Sequence, residues 1–568
     1  MPDCVYPPES EDYYDFILTY SSRNEGTAYE LARTHCVNFL NREYAVAYLP
    51  RQDIRFLSVS PQYYAAIPKL YGLLDTVALE SSGIPAILDQ PTLRATGRGV
   101  LLGIIDTGIN YADPLFRHPD GTTRIRGIWD QTLVTGQMPE PVIGFQPFYG
   151  ATYNEAEINA ALASDDPYGF LPSQDTHGHG TFMAAIAAGS RGPRSAGDSA
   201  FPPDFHGAAP EASLAIVKLK PAKQNLRDFY LIHPDADAFQ ENDIMAGISY
   251  LTGLANEFQM PLVVCLGLGT NQGSHSGTSP LCNLIQSFET SVGIAFSVAA
   301  GNEVGLQHHY MGTIRPDQIY DDVEIRVGPE ERGFCLELWA NSSELYTVGF
   351  VSPTGEVVER IGIRVESGIT IPFRFDGTAV TVDFLDNESS SGNQLIFMRF
   401  DRPSEGIWHI RVYPTVILSG EFHMWLPMGG FITDKTIFLR PDPNTTITDP
   451  GNTEMPVTVS TYNHANNSIY IHSSRGYTRR GQVKPDLAAP GVDVAGRTGS
   501  SIAAAITAGA IADIFTWGIT DNHVLTMGSA SVKTMLIRGA QRNPALAYPN
   551  REWGYGTLDL YGAFNTLR

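Results

Sequence analysis

Hydrophobic and polar positions follow three different patterns along the chain, and the first covers its N-terminal part. Three short apolar runs predict strands, and the stretch over residues 28–40 between the first two has helical spacing. A second, shorter helix is predicted over residues 63–73, although Pro68 would interrupt it. We therefore predict a small α+β unit over residues 1–80, with strands at 16–20, 44–49 and 54–59.

From about residue 100 the pattern changes to continuous apolar runs. Four of them predict strands, at 100–105, 212–217, 261–266 and 293–298. Continuous runs are typical of parallel strands that are covered on both faces, because neither face meets water. This part of the chain therefore predicts an α/β core.

A third pattern begins near residue 312, where short strands alternate apolar and polar residues between Gly, Asn, Ser and Pro turns. This pattern favours an antiparallel sandwich or jelly roll. The pattern of the α/β core returns after it. The predicted fold is α/β, with a parallel-sheet domain, an N-terminal α+β unit and an inserted all-β, jelly-roll-like domain. The predicted domains are residues 1–80, 81–311, 312–430 and 431–568.

Composition excludes several classes of function. The 568 residues include 43% hydrophobic and 17% charged ones, as in a globular protein. A formal charge of −23 would repel phosphate backbones and anionic lipid, so we expect no nucleic-acid partner and no membrane insertion. The N-terminus has neither a basic nor an apolar signal region, which predicts a cytoplasmic location. We expect the five widely spaced cysteines to be buried free thiols, at Cys4, Cys36, Cys265, Cys282 and Cys335.

Three polar residues embedded in small or aliphatic neighbours carry the candidate chemistry. They are Asp106 (GIIDTG), His179 (HGHGT) and Ser501 (GSSIAA). A serine hydroxyl needs a positioned base to become a nucleophile, and imidazole suits that exchange. A carboxylate on the other ring nitrogen would fix the tautomer. The order Asp, His, Ser along the chain is one in which such triads occur.

Each of these residues could instead have a purely structural role. Asp106 is compatible with a turn or helix N-cap, and the Ser500–Ser501 pair with a helix cap. His177 and His179 are compatible with a zinc site, but no third ligand follows at typical spacing. The three motifs together, in order and each beside an apolar element, favour catalysis. We predict no metal and no cofactor.

A fourth residue, Asn302, follows the predicted strand 293–298. Ligand sites of α/β sheets lie beyond the carboxyl ends of strands. An amide donor there, with the backbone N–H of Ser501, would hold the oxyanion of a tetrahedral intermediate. The alternative is a plain Gly-Asn turn.

The blocks at 106–108 (DTG), 179–181 (HGT), 299–302 (AAGN) and 499–504 (GSSIAA) resemble the signatures of the subtilisin-like serine proteases, the subtilases. The resemblance implies that Asp106 orients, His179 is the base, Ser501 the nucleophile and Asn302 the oxyanion donor. It also implies that the segment Leu266, Gly267, Leu268 and Gly269 binds substrate as an added strand, with Ala299 and Gly301 lining the specificity pocket. Gly267, Ser500, Phe182 and Ala505 stand where that family usually has Ser, Thr, His and Pro.

The N-terminal unit, the β-rich insertion and the ending at 548–556 are similar to the Csp proteases of clostridial spores. That subgroup implies a prodomain that acts as a folding chaperone and is cut off by the enzyme itself. It also implies a protein zymogen as substrate and a spore-associated location. We expect self-cleavage between Leu74 and Ala86, in an extended stretch of small residues.

Two other hypotheses remain open from the sequence. One is a pseudoprotease, a subtilase fold used as a binding or signalling scaffold, although all three triad positions are filled. The other is a sugar- or protein-binding insertion, in which Trp408 and Phe397 would stack on sugars if they do not form the core.

Overall fold

The computed structural model describes residues 4–21, 25–54, 57–59, 64–74, 95–134, 138–192, 199, 201–362, 368–494 and 496–567. Its elements follow the three textures of the sequence.

The N-terminal unit is a three-stranded antiparallel sheet with one helix. Its elements are β1 (Tyr13–Thr19), α1 (Glu25–Ala32), β2 (Cys36–Phe39) and β3 (Tyr44–Pro50), with strand order β1-β3-β2. The predicted helix over 28–40 is wrong beyond Ala32. The residues after it pair with β3, because the Asn41 side chain accepts hydrogen bonds from the N–H groups of Glu43 and Tyr44 and so turns the chain back.

Two further predictions for this unit are wrong. Residues 54 and 57–59 are not in a strand, whereas 55–56 lie outside the described residues. Cys4 and Cys36 form a disulfide, although Cys265, Cys282 and Cys335 are buried free thiols as expected. Cys4 lies 32 positions from its partner, and sequence spacing of this kind does not reveal which thiols meet.

The segment that leaves this unit is extended where a helix over 63–73 was predicted. Short 3₁₀ turns at Arg51–Asp53 and Tyr64–Ala66 precede strand β4 (Leu70–Leu73). Pro68 cannot donate to a helix and disfavours helical backbone at Ile67. The chain from Lys69 to Leu74, called here the tail, instead pairs with strands on both sides.

The first part of the α/β domain alternates strands and helices. Its strands are β5 (Leu101–Asp106), β6 (Ile125–Asp130), β7 (Ala151–Asn154), β8 (Ser213–Lys218), β9 (Phe239–Gln240), β10 (Leu262–Leu266), β11 (Leu268–Gly269) and β12 (Ile294–Ala299). Its helices are α2 (Glu155–Leu162), α3 (Pro167–Phe170), α4 (His179–Ala188), α5 (Gln224–Tyr230), α6 (Glu241–Phe258) and α7 (Pro280–Gln286), with 3₁₀ turns at Pro114–Phe116 and Val304–Leu306.

The insertion is a sandwich of two antiparallel sheets around one hydrophobic cluster. Its strands are β13 (His309–Thr313), β14 (Asp321–Val327), β15 (Gly333–Ala340), β16 (Leu345–Val351), β17 (Val357–Val358), β18 (Ile369–Phe373), β19 (Thr378–Leu385), β20 (Gln394–Asp401), β21 (Gly406–Val416), β22 (Glu421–Trp425) and β23 (Ile437–Phe438). The sheet orders are β13-β22-β15-β20-β19-β18 and β17-β16-β21-β14-β23. Trp408 and Phe397 are fully buried, so neither forms a sugar-stacking surface.

The last part of the chain completes the α/β domain. It contains β24 (Val457–Asn463), β25 (Ser468–Ile469), β26 (Leu487–Pro490), α8 (Ser500–Phe515) with a π-helical turn at Thr516–Thr520, α9 (Ser529–Gly539) and α10 (Leu560–Asn565). The 21-residue helical stretch Ser500–Thr520 has the length and apolar composition of a membrane span, but most of it is buried inside the protein. It packs as a core helix against the central sheet.

The central sheet has the order β25-β24-β12-β10-β5-β8-β6-β7, with β26 on β24. Neighbours from β24 to β6 are parallel, and β7 and β25 are antiparallel at the two ends. The four strands predicted from continuous apolar runs, β5, β8, β10 and β12, are all central. The α/β prediction is therefore confirmed, and the carboxyl ends of β5, β10 and β12 lie side by side.

Candidate active site

Asp106 and His179 form a buried pair at one edge of the central sheet. Asp106 is the last residue of β5, and His179 is the first residue of α4, whose N-cap Gly178 has a φ of 87°. His179 Nδ1 lies 2.6 Å from Asp106 Oδ1, which also accepts a hydrogen bond from the Thr107 N–H at 2.7 Å. Neither side chain is more than 1% exposed. The contact therefore fixes the ring orientation that a general base requires.

Asp175, which was not predicted from the sequence, forms hydrogen bonds with residues next to both members of this pair. Its carboxylate accepts hydrogen bonds from Thr107 Oγ1, from Gly178 N–H and from the N–H and Oγ1 of Thr181. Burial alone would raise the pKa of Asp175, but these hydrogen bonds lower it below its usual value. An acidic residue just before a helix start is a typical capping signal, and it could have revealed this role.

Ser501 is the second residue of α8 and lies beside His179. Gly267 lies close to both: a Cβ built there would lie 3.0 Å from Ser501 Cβ and 3.4 Å from His179 Cε1. The absence of a side chain at Gly267 therefore gives the serine and histidine room to sit on the same side of the substrate segment. Ser501 therefore borders the same glycine as His179, which in turn contacts Asp106.

Ser500 and Asn302 hold the neighbouring backbone. The Ser500 N–H donates to Asn302 Oδ1 at 3.2 Å, and Ser500 Oγ accepts from the Gly301 N–H at 3.1 Å. With its oxygen engaged, Asn302 keeps its amide NH₂ as the donor for a ligand. Ser500 thus has a structural role, which leaves Ser501 as the candidate nucleophile.

The tail occupies the cleft next to these residues as the middle strand of a three-stranded sheet. β4 pairs antiparallel with β11, Leu73 opposite Leu268 and Gly72 opposite Gly269. On its other edge it pairs with β9. The segment Leu266 to Gly269, predicted to bind an added strand, carries one here.

Leu74 ends the tail directly at Ser501. Its N–H donates to the Gly267 carbonyl at 3.0 Å, and its own carbonyl accepts from the Ser501 N–H at 2.9 Å. Its side chain is 2% exposed. The Leu74 carbonyl thus accepts a hydrogen bond from the Ser501 N–H, one of the two predicted oxyanion donors.

Gly269 lies against the Leu74 side chain, with Thr448 and Gly301 next to it. A Cβ at Gly269 would lie 2.9 Å from Leu74 Cδ1 and 2.4 Å from Thr448 Oγ1, and one at Gly301 would lie 2.8 Å from Thr448 Cγ2. Thr448 was not predicted, because nothing in its local sequence marks it. Ala299 is buried at the end of β12, where it pairs with Val459.

A buried ion pair fixes the beginning of the tail. Lys69 Nζ lies 3.4 Å from Glu241 Oε2, with side-chain exposures of 2% and 0%. The same carboxylate oxygen accepts from the Lys69 N–H at 3.1 Å. Burial raises the pKa of nearby Asp449 to about 6, and the charge of Lys69 opposes that shift. Among the described residues no group of three or more His, Cys, Asp or Glu side chains is arranged to hold a metal ion.

Comparison with known proteins agrees with this geometry. The subtilase family model matches residues 97–321 and 436–556, more than half of the chain. The solved structure of the Clostridium perfringens CspB protease is 31% identical, with a TM-score of 0.72, over 86% of this chain and 98% of that one.

A curated relative, the subtilisin-like protease SBT1.9 of Arabidopsis thaliana, is 34% identical over 128 residues. That match takes in 22% of this chain but only 16% of the relative's length. The sandwich insertion interrupts the family match, which ends at 321 and resumes at 436. The chain belongs to the subtilase family and is a subtilisin-like serine endopeptidase.

Proposed function

We propose that Asp106, His179 and Ser501 form the working triad of this protease and that its first substrate is its own Leu74–Asp75 bond. The observation that carries the proposal is the Leu74 carbonyl, which lies 2.9 Å from the Ser501 N–H at the end of a doubly paired strand. This bond is at the upstream limit of the window predicted from the sequence. The rest of that window, residues 75–86, lies outside the described residues.

In the proposed reaction His179 Nε2 takes the Ser501 proton as Oγ attacks the Leu74 carbonyl carbon. The Ser501 N–H and the Asn302 amide hold the oxyanion, while Asp106 stabilises the imidazolium. His179 then gives the proton to the Asp75 amine as the C–N bond breaks. Water attacks the acyl-enzyme by the same route and releases the Leu74 carboxylate.

Self-cleavage is tested with the full chain. Intact-mass analysis of the purified protein should give fragments 1–74 and 75–568, which stay together on a sizing column. Ser501→Ala should give one full-length mass, whereas Ser500→Ala should still be cut, because Ser500 is not the nucleophile. A full-length mass from both the natural chain and Ser501→Ala would refute the proposal.

The prodomain is proposed to stay bound after cleavage, because its contacts are buried and polar. Asp15 on β1 pairs with Lys223 at 2.5 Å, with exposures of 1% and 2%, and also accepts from Gln240 Nε2. Asn225 Nδ2 donates to the Tyr13 carbonyl. These bonds do not depend on the Leu74–Asp75 bond, so its hydrolysis leaves them in place.

We propose a protein zymogen of the same cell or spore as the later substrate. The similarity to CspB over nearly its whole length supports this assignment. Labelling of new N-termini in a spore extract treated with processed enzyme, but not with Ser501→Ala, would identify the substrate. A fluorophosphonate probe addresses the pseudoprotease alternative, since only an activated serine is labelled.

A further inference from the structure

Met428 and Phe431 form a wall of the substrate cleft beside Gly72, the third residue before the scissile bond. Gly72, at the P3 position of the tail, does not have a positive φ, so its backbone does not require glycine. A Cβ built on it would instead meet Met428 Cε and Sδ at 3.0 Å and Phe431 Cε1 at 3.3 Å. Such distances are shorter than ordinary carbon contacts. The restriction on this position comes from neighbouring side chains.

The wall is part of a packed cluster. Side chains alternate along a strand, so Leu70, Gly72 and Leu74 face the same way. Leu70 and Leu74 belong to the same hydrophobic cluster as Met428 and Phe431. Met428 and Phe431 are each only 2% exposed, so neither side chain can move out into solvent to make room for a larger residue.

The wall is also held in place by the catalytic domain. Residues 428–431 lie in the loop between β22 and β23 of the insertion. The Gly429 N–H donates to Glu303 Oε1, next to Asn302, and the His233 N–H donates to the Phe431 carbonyl at 2.7 Å. Within the segment the Phe431 N–H bonds the Met428 carbonyl. Because the segment is tied at both ends, Met428 can yield to a larger P3 residue only by changing rotamer in a packed space.

From this geometry we propose that Met428, supported by Phe431, is a specificity-determining residue that limits the P3 position of substrates to glycine or a residue of similar size. The proposal rests on the proposed function, because it takes the tail to be bound as substrate. The insertion thereby takes part in substrate selection. The preferred substrates are extended segments with a small residue two positions before a P1 leucine.

The test is a volume exchange in the full chain. Gly72→Val adds three heavy atoms at P3, and Met428→Ala removes three from the wall. We expect Gly72→Val to slow self-cleavage by on the order of tenfold to a hundredfold, the usual range for overpacking. The double variant with Met428→Ala should recover most of that loss. Met424→Ala, which removes the same atoms from a buried methionine inside the sandwich, should give no recovery.

If Gly72→Val does not fold, processed enzyme is measured after fragment 1–74 has been separated from it, so that the cleft is open to added peptides. Two peptides containing Tyr-Gly-Leu-Leu or Tyr-Val-Leu-Leu before the cleaved bond are compared by kcat/KM. The natural enzyme should prefer the glycine peptide at least tenfold, and Met428→Ala should reduce that ratio towards one. Equal ratios in both enzymes, or a Gly72→Val chain cut as fast as the natural one, would overturn the proposal. Failure of the natural chain to cut itself would instead count against the proposed function.

Discussion

Removal of the Lys69 charge tests how the cleft holds the tail. Lys69→Met keeps most of the side-chain length but leaves Glu241 and Asp449 buried without their cation. Breaking one partner of a buried ion pair usually costs about 3 to 5 kcal/mol. Glu241 keeps the hydrogen bonds from the N–H groups of Lys69 and Leu281, so we expect about 3 kcal/mol, the lower end of that range.

The penalty should depend on pH. The pKa of Asp449 is about 6 in the folded protein, above the value of an exposed aspartate, chiefly because of burial. Its protonated form therefore favours folding at low pH, and that contribution is lost as the pH rises through 6. Lys69 holds this pKa down, so Lys69→Met raises it further and makes ionisation more costly. The loss of stability in Lys69→Met should be smallest near pH 5 and largest near pH 8.

The assay is urea unfolding of both proteins on a Ser501→Ala background, so that each chain stays intact. Lys435→Met, at an exposed lysine of the insertion, is the matched control and should change the free energy of unfolding by less than about 0.5 kcal/mol. If Lys69→Met unfolds at the same urea concentration as its parent at pH 8, or if its loss is the same at pH 5, the assigned role of the ion pair is wrong.

Three further substitutions separate the parts of the site. Asp106→Asn should slow self-cleavage by about 10⁴-fold, because the amide favours the wrong tautomer of His179; a loss below tenfold would contradict the assignment. Asn302→Ala should slow cleavage by about 10²- to 10³-fold, measured by intact mass over time, and unchanged cleavage would remove it from the oxyanion site. Asp15→Ala leaves Lys223 buried without its carboxylate, so the cut prodomain should separate from the enzyme on a sizing column, whereas fragment 1–74 stays bound in the natural protein.

The positions of the candidate catalytic residues at the ends of strands and helices could be predicted, because they depend on short stretches of sequence. Asp106 ends an apolar strand and Asn302 follows another, and both strands are continuous apolar runs in the sequence. His179 and Ser501 lie in the first turns of helices of small residues. The parallel sheet then brings the ends of those strands together. The main site could be predicted because topology supplies the contacts that the motifs themselves do not contain.

The errors concern residues whose conformation depends on distant partners. The residues of β2 were predicted as the end of a helix, but they form an edge strand once β3 offers hydrogen bonds. Leu70–Leu73 was predicted as a helix and is extended because β9 and β11 flank it, at sequence separations of well over a hundred residues. Local propensity did not identify either pairing, and Pro68 was the one local sign against a helix.

The tail also shows why the role of the insertion was not visible in the sequence. Glu337 on β15 accepts hydrogen bonds from Tyr64 Oη, ahead of the tail, and from the Gly273 N–H, in the loop after β11. One buried carboxylate of the insertion therefore joins the segment that enters the cleft to the loop that leaves the substrate strand. Met428 lies against the tail at Gly72, so the insertion touches the tail at one point and the segment ahead of it, at Tyr64, at another. The family motifs lie outside the insertion, so they predict the candidate catalytic residues but not the contacts of the tail. The segment that reaches Ser501 is held by residues of both the α/β domain and the insertion.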